Sequence, residues 1–349
     1  MSSNAGSSNP EYVTARVRSR QGDLYDQEDY RKLLRMGPSE IARYMEESTY
    51  EDEINALGAR FGGVDLIEYA LNRSLAAQFD AVLSWAEGRV YDLVARYLRK
   101  FDAWNVKTVI RGLYSDADDE AVETDLIRAG EFDDELLGRL LEADSVETVV
   151  EVLDGTPFGE ALAGAVSDYE DSGVLVPLEN AVDRAYYENL LADLVVDEAT
   201  QGYADFLRAE IDFRNARNAL RLARSGADID PGEYYIAGGR LFTANELASL
   251  ANSPDELVER IRASTYGDDL SAALEEFEAA ESLIGFERAL EAALLEYSEN
   301  LGYVFPLSIG PVVAFVLATE REVENIRAIA RGREAGLSEE EIERELVVL

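Results

Sequence analysis

The chain carries the stretch FDAWNVKTVIRG at residues 101–112, and altered copies follow as IDFRNARNALRL at 211–222 and REVENIRAIARG at 321–332. An asparagine anchors each copy, and successive anchors are 110 residues apart: Asn105, Asn215 and Asn325. The positions one, four and five residues after each anchor are apolar. A helix turns by about 100° per residue, so these positions share one narrow face. The stretch therefore predicts three helices with a buried face, and in each of them a buried asparagine that serves hydrogen bonding or helix packing rather than ligand contact.

Charged residues also keep fixed places around the anchor. An acid precedes it by three residues: Asp102, Asp212 and Glu322. Bases follow it by two and by six residues: Lys107 and Arg111, Arg217 and Arg221, Arg327 and Arg331. Since the two bases are one helical turn apart, they share a face. Two interpretations are open: the bases neutralise carboxylates within their own domain, or they line a common surface and are candidate partner contacts.

Three more landmarks recur in the same order. A glycine comes first: Gly22, Gly130 and Gly239. Next comes a threonine, predicted to be a helix N-cap, which is followed within two residues by an aromatic, predicted to be a core residue. The aromatics are Tyr50, Phe158 and Tyr266. A glutamate follows: Glu68, Glu179 and Glu287. The constant order and spacing indicate a threefold internal repeat.

The repeat period of about 110 residues is too long for a single helical hairpin and is typical of a small helical domain. The predicted boundaries are 1–21 for an N-terminal extension with the start of the first helix, then 22–129, 130–238 and 239–349 for the three copies. Apolar residues recur at helical spacing, as at Val90, Val94 and Tyr97, and alternating β-type runs are missing. The predicted class is all-α, with Ser39 and Ser338 as N-caps.

The net charge is −39, from 71 acidic and 32 basic residues, of which only three are lysine. Such a charge repels itself in dilute buffer. Molar salt shrinks the Debye length to roughly 3 Å and removes most of that repulsion. The composition therefore indicates a protein from a halophile. It also argues against nucleic-acid binding, which needs a basic surface.

The chain lacks side chains that catalytic and metal sites commonly use. The chain has no histidine and no cysteine, which removes the usual neutral-pH base, the commonest metal ligands and thiol chemistry. No lysine follows a glycine, so a P-loop is excluded. We therefore expect no catalytic, cofactor or metal site and no activity of its own. The longest apolar stretch, residues 307–318, is too short to span a bilayer and predicts a buried core segment.

The chain resembles a known family at the stretch FDAWNVKTVIRG, together with EIARYMEESTYEDEI, EIDFRNARNALR and TEREVENIRAIARGREAGLSEEEI. It is similar to the C subunit of archaeal-type ATP synthases, a relative of the d subunit of vacuolar ATPases. The second copy departs from the signature, with Arg217 in place of lysine and no glycine after Arg221.

This resemblance implies three similar helical domains in a pseudo-threefold, funnel-like arrangement. It also implies a non-catalytic central-stalk subunit, peripheral on the cytoplasmic face of the cell membrane. The implied partners are the rotor shaft subunits and the proteolipid ring, with the membrane reached only through the ring.

Two other functions stay open on the residues alone. The first is a helical scaffold subunit of another multi-subunit assembly. The second is a carboxylate-dependent enzyme such as a glycosidase, which needs two carboxyl groups at a catalytic separation.

The charge leads to a first prediction. The isolated chain loses helicity when KCl falls from molar to about 0.1 M, because self-repulsion is then no longer screened. Circular dichroism at both concentrations tests this, and an unchanged spectrum would contradict it.

Overall fold

The structure is a computed structural model that describes residues 8–192, 194–225, 230–250, 253–268, 271, 274–275 and 283–347. These residues form helices and connecting turns with no strand among them, so the predicted all-α class is confirmed. The helices are α1 Pro10–Gln21, α2 Gln27–Leu33, α3 Pro38–Met45, α4 Glu51–Leu57, α5 Gly63–Trp85, α6 Arg89–Leu98, α7 Lys100–Ser115, α8 Asp119–Thr124, α9 Asp134–Leu141, α10 Val146–Val152, α11 Pro157–Ser172, α12 Val176–Ala192, α13 Gln201–Ser225, α14 Ala244–Leu250, α15 Pro254–Arg262, α16 Leu283–Val304, α17 Gly310–Glu334 and α18 Glu339–Glu343, with a 3₁₀ turn at Pro231–Tyr234.

The chain divides into two compact units. Unit 1 comprises Met1–Asn105, Glu120–Asp133 and Ser298–Leu349, and unit 2 comprises Val106–Asp119 and Asp134–Tyr297. Each unit therefore combines segments from more than one copy of the repeat. The copy boundaries at 22, 130 and 239 stay a prediction.

Unit 1 is organised around two long helices, α5 and α17. Helices α3 and α4 pack against α5, and α1 packs along α17. The apolar stretch of α17 supplies the centre of this core, because Val313, Phe315 and Val316 are completely buried. The predicted buried segment at 307–318 is thus confirmed along most of its length, but Leu307 is exposed because it lies in the turn before α17.

Unit 2 contains a helical hairpin of α11 and α12, with α10 packed on α11 and α13 packed on α12. A second cluster of apolar side chains lies around α13 and α15. Its buried members include Phe213, Leu241, Leu257 and Ile261. Helix α13 therefore contributes to the packing of both parts of this unit.

The apolar positions that follow the three anchors are buried, which confirms the predicted buried face of each helix. The side chain of Leu220, one of these positions in the second copy, lies outside the described residues. The others are Val106, Val109, Ile110, Ala216, Ala219, Ile326, Ile329 and Ala330.

Helix ends show where local prediction succeeds and where it fails. The hydroxyl of Ser338 accepts a hydrogen bond from the Glu341 N–H and Glu341 returns one, so the predicted capping box is confirmed. The prediction for Ser39 is wrong. Helix α3 begins at Pro38 with Gly37 as N-cap, because Pro38 has no N–H and suits the first helical position.

The threonine–aromatic landmark gives a mixed result. Thr156 caps α11 through the Gly159 N–H, as predicted. Helix α4 instead begins after Tyr50, and the hydroxyl of Thr49 makes no capping bond. The aromatics of the first two copies, Tyr50 and Phe158, are buried, whereas Tyr266 is half-buried. Residues 269–270 of the third copy lie outside the described residues.

Candidate functional site

The anchoring asparagine ties each helix of the repeat to a segment 21 or 22 residues further along the chain. The side chain of Asn105 donates to the Ile127 carbonyl and accepts from the Ile127 N–H, both at 2.8 Å. Asn215 makes the same pair of bonds with Ile236, and Asn325 makes it with Val347. All three asparagines are buried. The prediction of a buried, hydrogen-bonding asparagine is therefore confirmed in every copy.

The acid before the anchor holds the glycine landmark of the next copy. The carboxylate of Asp102 accepts hydrogen bonds from the N–H groups of Glu131 and Phe132, directly after Gly130. A Cβ at Gly130 would lie 2.0 Å from Asp102 Oδ1, so only glycine lets the carboxylate approach. Burial raises the pKa of Asp102 to about 6, against the opposing effect of these hydrogen bonds.

The second copy repeats this arrangement. Asp212 accepts hydrogen bonds from the N–H groups of Arg240 and Leu241, and a Cβ at Gly239 would lie 2.1 Å from its Oδ1. The landmark aromatic joins this contact, because the Tyr266 hydroxyl donates to Asp212 Oδ2 at 3.1 Å. The acid, the glycine and the aromatic are separate landmarks in the sequence, and here they form one contact.

In the third copy the acid reaches back to the first. Glu322 accepts hydrogen bonds from the Tyr25 N–H and, at 2.7 Å, from the Tyr50 hydroxyl. Its side chain is one methylene longer than aspartate, and it meets the chain three residues after Gly22. A Cβ at Gly22 would find only ordinary contacts, the nearest at 3.4 Å. Burial raises the pKa of Glu322 to about 7.

The arginine six residues after the anchor pairs with the glutamate landmark of the next copy. Arg111 Nε lies 2.6 Å from Glu179 Oε1. Arg221 donates two hydrogen bonds of 2.7 Å to the carboxylate of Glu287. In unit 1, Arg331 Nε pairs with Glu68, so the third copy is again joined to the first. Two contacts thus join each copy to the next: the pair of this arginine with a glutamate, and the contact of the acid that precedes the anchor. We call the two contacts together an inter-copy lock.

These ion pairs bear on the two interpretations of the bases. The arginines do neutralise carboxylates of the same chain, as the first interpretation has it. The carboxylates, however, belong to the following copy of the repeat rather than to the arginine's own copy. The pairs leave the arginines partly open to solvent, with side-chain exposures between 37% and 54%. At these three side chains the contact with a partner stays a prediction.

The base two residues after the anchor lies deeper. Lys107 Nζ is 2.6 Å from Asp183 Oδ1, and both groups are buried. Arg214 and Arg217 approach the same carboxylate at 3.4 and 4.0 Å. Burial alone would raise the pKa of Asp183, but Arg214 and Lys107 outweigh it and hold that pKa below its usual value.

The third copy has a different partner at this position. Arg327 donates to Asn72 Oδ1 of the first copy at 2.7 Å. The residue at the equivalent position of the second copy is Asp183, the partner of Lys107. Asn72 and Asp183 each lie four residues after the landmark glutamate. Sequence reasoning did not single them out. The signal was the four-residue spacing, which matches the spacing of the two bases that they contact.

Raised carboxyl pKa values often mark catalytic acids. Here the oxygens of Asp102, Asp212 and Glu322 are occupied by backbone N–H groups and tyrosine hydroxyls, which gives them a structural task. Within the described ranges, no group of three or more acidic side chains is placed to hold a metal ion. No described helix combines the length and the apolar composition that a membrane-spanning helix needs.

The fold and the locks define an all-helical repeat protein whose repeated acids and arginines serve contacts within the chain. Comparison with known proteins gives its family. The model of the ATP synthase (C/AC39) subunit family matches residues 13–345, and the chain belongs to that family of rotary ATPase subunits. Its partners are accordingly other subunits of such a complex.

Relatives agree along the whole length. The chain is 71% identical over 347 residues to the C subunit of the A-type ATP synthase of Haloferax volcanii, which covers 99% of this chain and 100% of that protein. The same subunit of Halobacterium salinarum is 62% identical over 99% of both chains. That of Methanococcoides burtonii is 34% identical, over 98% of this chain and 95% of its own. The relatives at high identity come from halophilic archaea, as the charge of this chain indicates.

Alanine at the landmark glycines tests the acid contacts. Gly130→Ala and Gly239→Ala lower the free energy of unfolding by about 2–3 kcal/mol each, because the new Cβ displaces a buried carboxylate from its N–H donors. Gly22→Ala is the matched control and changes it by less than about 1 kcal/mol. Urea unfolding in molar KCl measures all three, and equal losses would contradict the geometry.

The buried charges around Asp183 give a second, ordered prediction. Asp183→Asn destabilises the protein by about 3–5 kcal/mol, because it leaves three cations without their carboxylate. Lys107→Met costs less, since Arg214 and Arg217 still neutralise Asp183. The same urea assay compares them, and a larger loss for Lys107→Met would show that the carboxylate is not shared.

Proposed function

We propose that this chain is a non-catalytic central-stalk subunit of a rotary ATP synthase, which couples the rotor shaft to the proteolipid ring. The observation that carries the proposal is the inter-copy lock, which occurs between the first and second, second and third, and third and first copies. It is supported by the family to which the chain belongs. The proposal includes the pseudo-threefold, funnel-like arrangement that the resemblance implies.

A coupling subunit has to pass torque without yielding. Each lock joins copies through carboxylates that are largely withdrawn from water, where ion pairs and hydrogen bonds are weakened little by salt. The asparagine contacts add a fixed hydrogen-bonded pair to each helix of the repeat. Deforming one junction therefore requires breaking several short polar contacts together, which favours a stiff spacer.

The use of the ionisable groups supports a part without an active site. The buried carboxyl groups of Asp102, Asp212 and Glu322, whose pKa burial raises, accept hydrogen bonds from backbone N–H groups or tyrosine hydroxyls. The basic groups of the repeat face carboxylates or amides. An enzyme needs such groups to be open to a substrate. The chemistry of ATP and of ion transport then belongs to the partners, and the chain lies at the cytoplasmic face of the membrane.

Of the six candidate partner contacts, the three arginines that follow the anchor by six residues have partly exposed side chains. Arg111, Arg221 and Arg331 each keep 37% to 54% of the side chain exposed while the Nε is held by a glutamate. A held, half-exposed arginine is typical of a binding anchor, because little side-chain entropy is left to lose. Lys107, Arg217 and Arg327 lie deeper and stay weaker candidates.

Affinity purification tests the assignment. A tagged chain is recovered from detergent-solubilised native membranes in molar KCl, and the proteins that accompany it are identified by mass spectrometry. Recovery of the shaft subunits and the proteolipid is expected. A folded bait that brings down a different assembly, and neither of these, would contradict the proposal and favour a general scaffold.

Arg331→Glu tests the partner contacts within the same assay. We expect it to lower recovery of the partners more than it lowers the thermal stability of the isolated chain. Arg35→Glu is the matched control, because Arg35 is exposed and, among the described residues, its side chain has only a long ion pair with Glu339 at 3.9 Å. Parallel losses of recovery and stability in Arg331→Glu would assign the arginine to the lock alone.

A further inference from the structure

The turn between α16 and α17 exposes apolar side chains in unit 1. Tyr303, Val304 and Leu307 are 77%, 67% and 58% exposed. They belong to residues 301–319, a run without a single charge in a chain that is 30% charged. An acidic, salt-adapted surface has no need for such a patch, which points to something that covers it.

Helix α1 lies beside this turn. Thr14 donates to the Pro306 carbonyl at 2.9 Å, and Arg18 donates to the Gly302 carbonyl. The helix carries three arginines and one acid, against a net charge of −39 for the chain. Arg16, Arg18 and Arg20 are exposed, and within the described part of the chain none of them pairs with a carboxylate. In a protein with 71 acids, three neighbouring arginines without an acid indicate an anionic partner outside the chain.

The other side of α1 meets a second turn, after α5. The Asn9 side chain donates to the Trp85 carbonyl and accepts from the Glu87 N–H, both at 2.8 Å. The guanidinium groups of Arg16 and Arg20 lie 5.2 and 6.0 Å from the centre of the Trp85 ring. The aromatic ring thus holds the arginines in place without neutralising them.

The repeat relates these turns to one another. Trp85, Val196 and Val304 each lie 17 residues after the landmark glutamate of their copy, so every copy has an apolar residue there. The copies differ in charge. In the second copy the exposed Val195 and Val196 are followed directly by Asp197 and Glu198. The turn of the first copy carries one acid, Glu87, and that of the third copy carries none, and both lie beside the arginines of α1.

We propose that this surface, formed by Arg16, Arg20, Trp85, Tyr303, Val304 and Leu307, binds the headgroup region of an anionic lipid bilayer. The arginines pair with lipid phosphates, and the tip of the α16–α17 turn inserts its apolar side chains below them. Arginine beside tyrosine, tryptophan and aliphatic residues is the composition that favours a membrane interface. A partner that offers only acidic side chains would satisfy the arginines but would leave the apolar tip in water.

This contact adds a direct lipid attachment to the indirect one through the ring, and it does not depend on the proposed role in coupling. It also predicts that binding to the bilayer needs salt. In dilute buffer the −39 charge repels an anionic bilayer, whereas molar KCl screens the distant charges. Apolar insertion, which salt does not screen, then supplies most of the affinity, and the arginine–phosphate pairs, shielded from water where the turn inserts, supply the preference for anionic lipid.

Vesicle flotation with the full chain tests the proposal. Vesicles of equal parts phosphatidylglycerol and phosphatidylcholine are compared with pure phosphatidylcholine in about 2 M KCl. The chain is expected to float with the anionic vesicles. The variant Tyr303→Ser/Val304→Ser/Leu307→Ser loses at least about tenfold of this binding. The exposed pair in the acidic turn, Val195→Ser/Val196→Ser, is the matched control and binds as the unchanged chain does.

The arginines have a separate readout. Arg16→Gln/Arg20→Gln is expected to abolish the preference for anionic over zwitterionic vesicles. Absence of flotation by the unchanged chain, or equal flotation of the Tyr303 variant with an intact circular dichroism spectrum, would overturn the proposal. If that variant floats normally but recovers fewer protein subunits in the affinity purification, the surface is a protein interface instead.

Discussion

A charged side chain that leaves water needs a partner, and for the arginine six residues after each anchor that partner belongs to the next copy of the repeat. The pairs Arg111–Glu179, Arg221–Glu287 and Arg331–Glu68 all follow this rule. Removing one member of such a pair strands the other, which costs more than the pair itself contributes. The register between copies is therefore set by electrostatics, while the apolar faces of the helices supply most of the driving force.

This arrangement suits a protein with a charge of −39 in concentrated salt. Exposed ion pairs contribute little in such a medium, because ions screen them. The partly buried pairs and the backbone contacts of Asp102, Asp212 and Glu322 are sheltered from that screening. The polar contacts that determine the fold are thus withdrawn from solvent, while the carboxylates on the surface keep the protein soluble. The basic surface beside α1 departs from this division, and for that reason it is a place where contact with another molecule is expected.

Much of the fold could be predicted from local patterns. Helical periodicity indicated the all-α class and the three helices around the anchors, and the constant landmarks indicated a threefold repeat in the sequence. The buried role of Asn105 and its equivalents followed from a polar residue within an apolar face. Prediction failed where neighbouring residues compete for the same role. Ser39 was mistaken for a cap because local pattern does not reveal which of Gly37, Pro38 and Ser39 is the first to adopt helical geometry.

Composition and local spacing were enough to establish the helical class, the repeat, the lack of histidine and cysteine chemistry, and the family. The task of each landmark became visible only in three dimensions. A glycine, an acid and an aromatic that are far apart in the chain form one contact at Asp212. The arginines six residues after the anchors pair with the following copy. The reason is physical. Spacing along a helix determines which side chains share a face, but partners more than 60 residues away are chosen by tertiary packing, which no local period encodes.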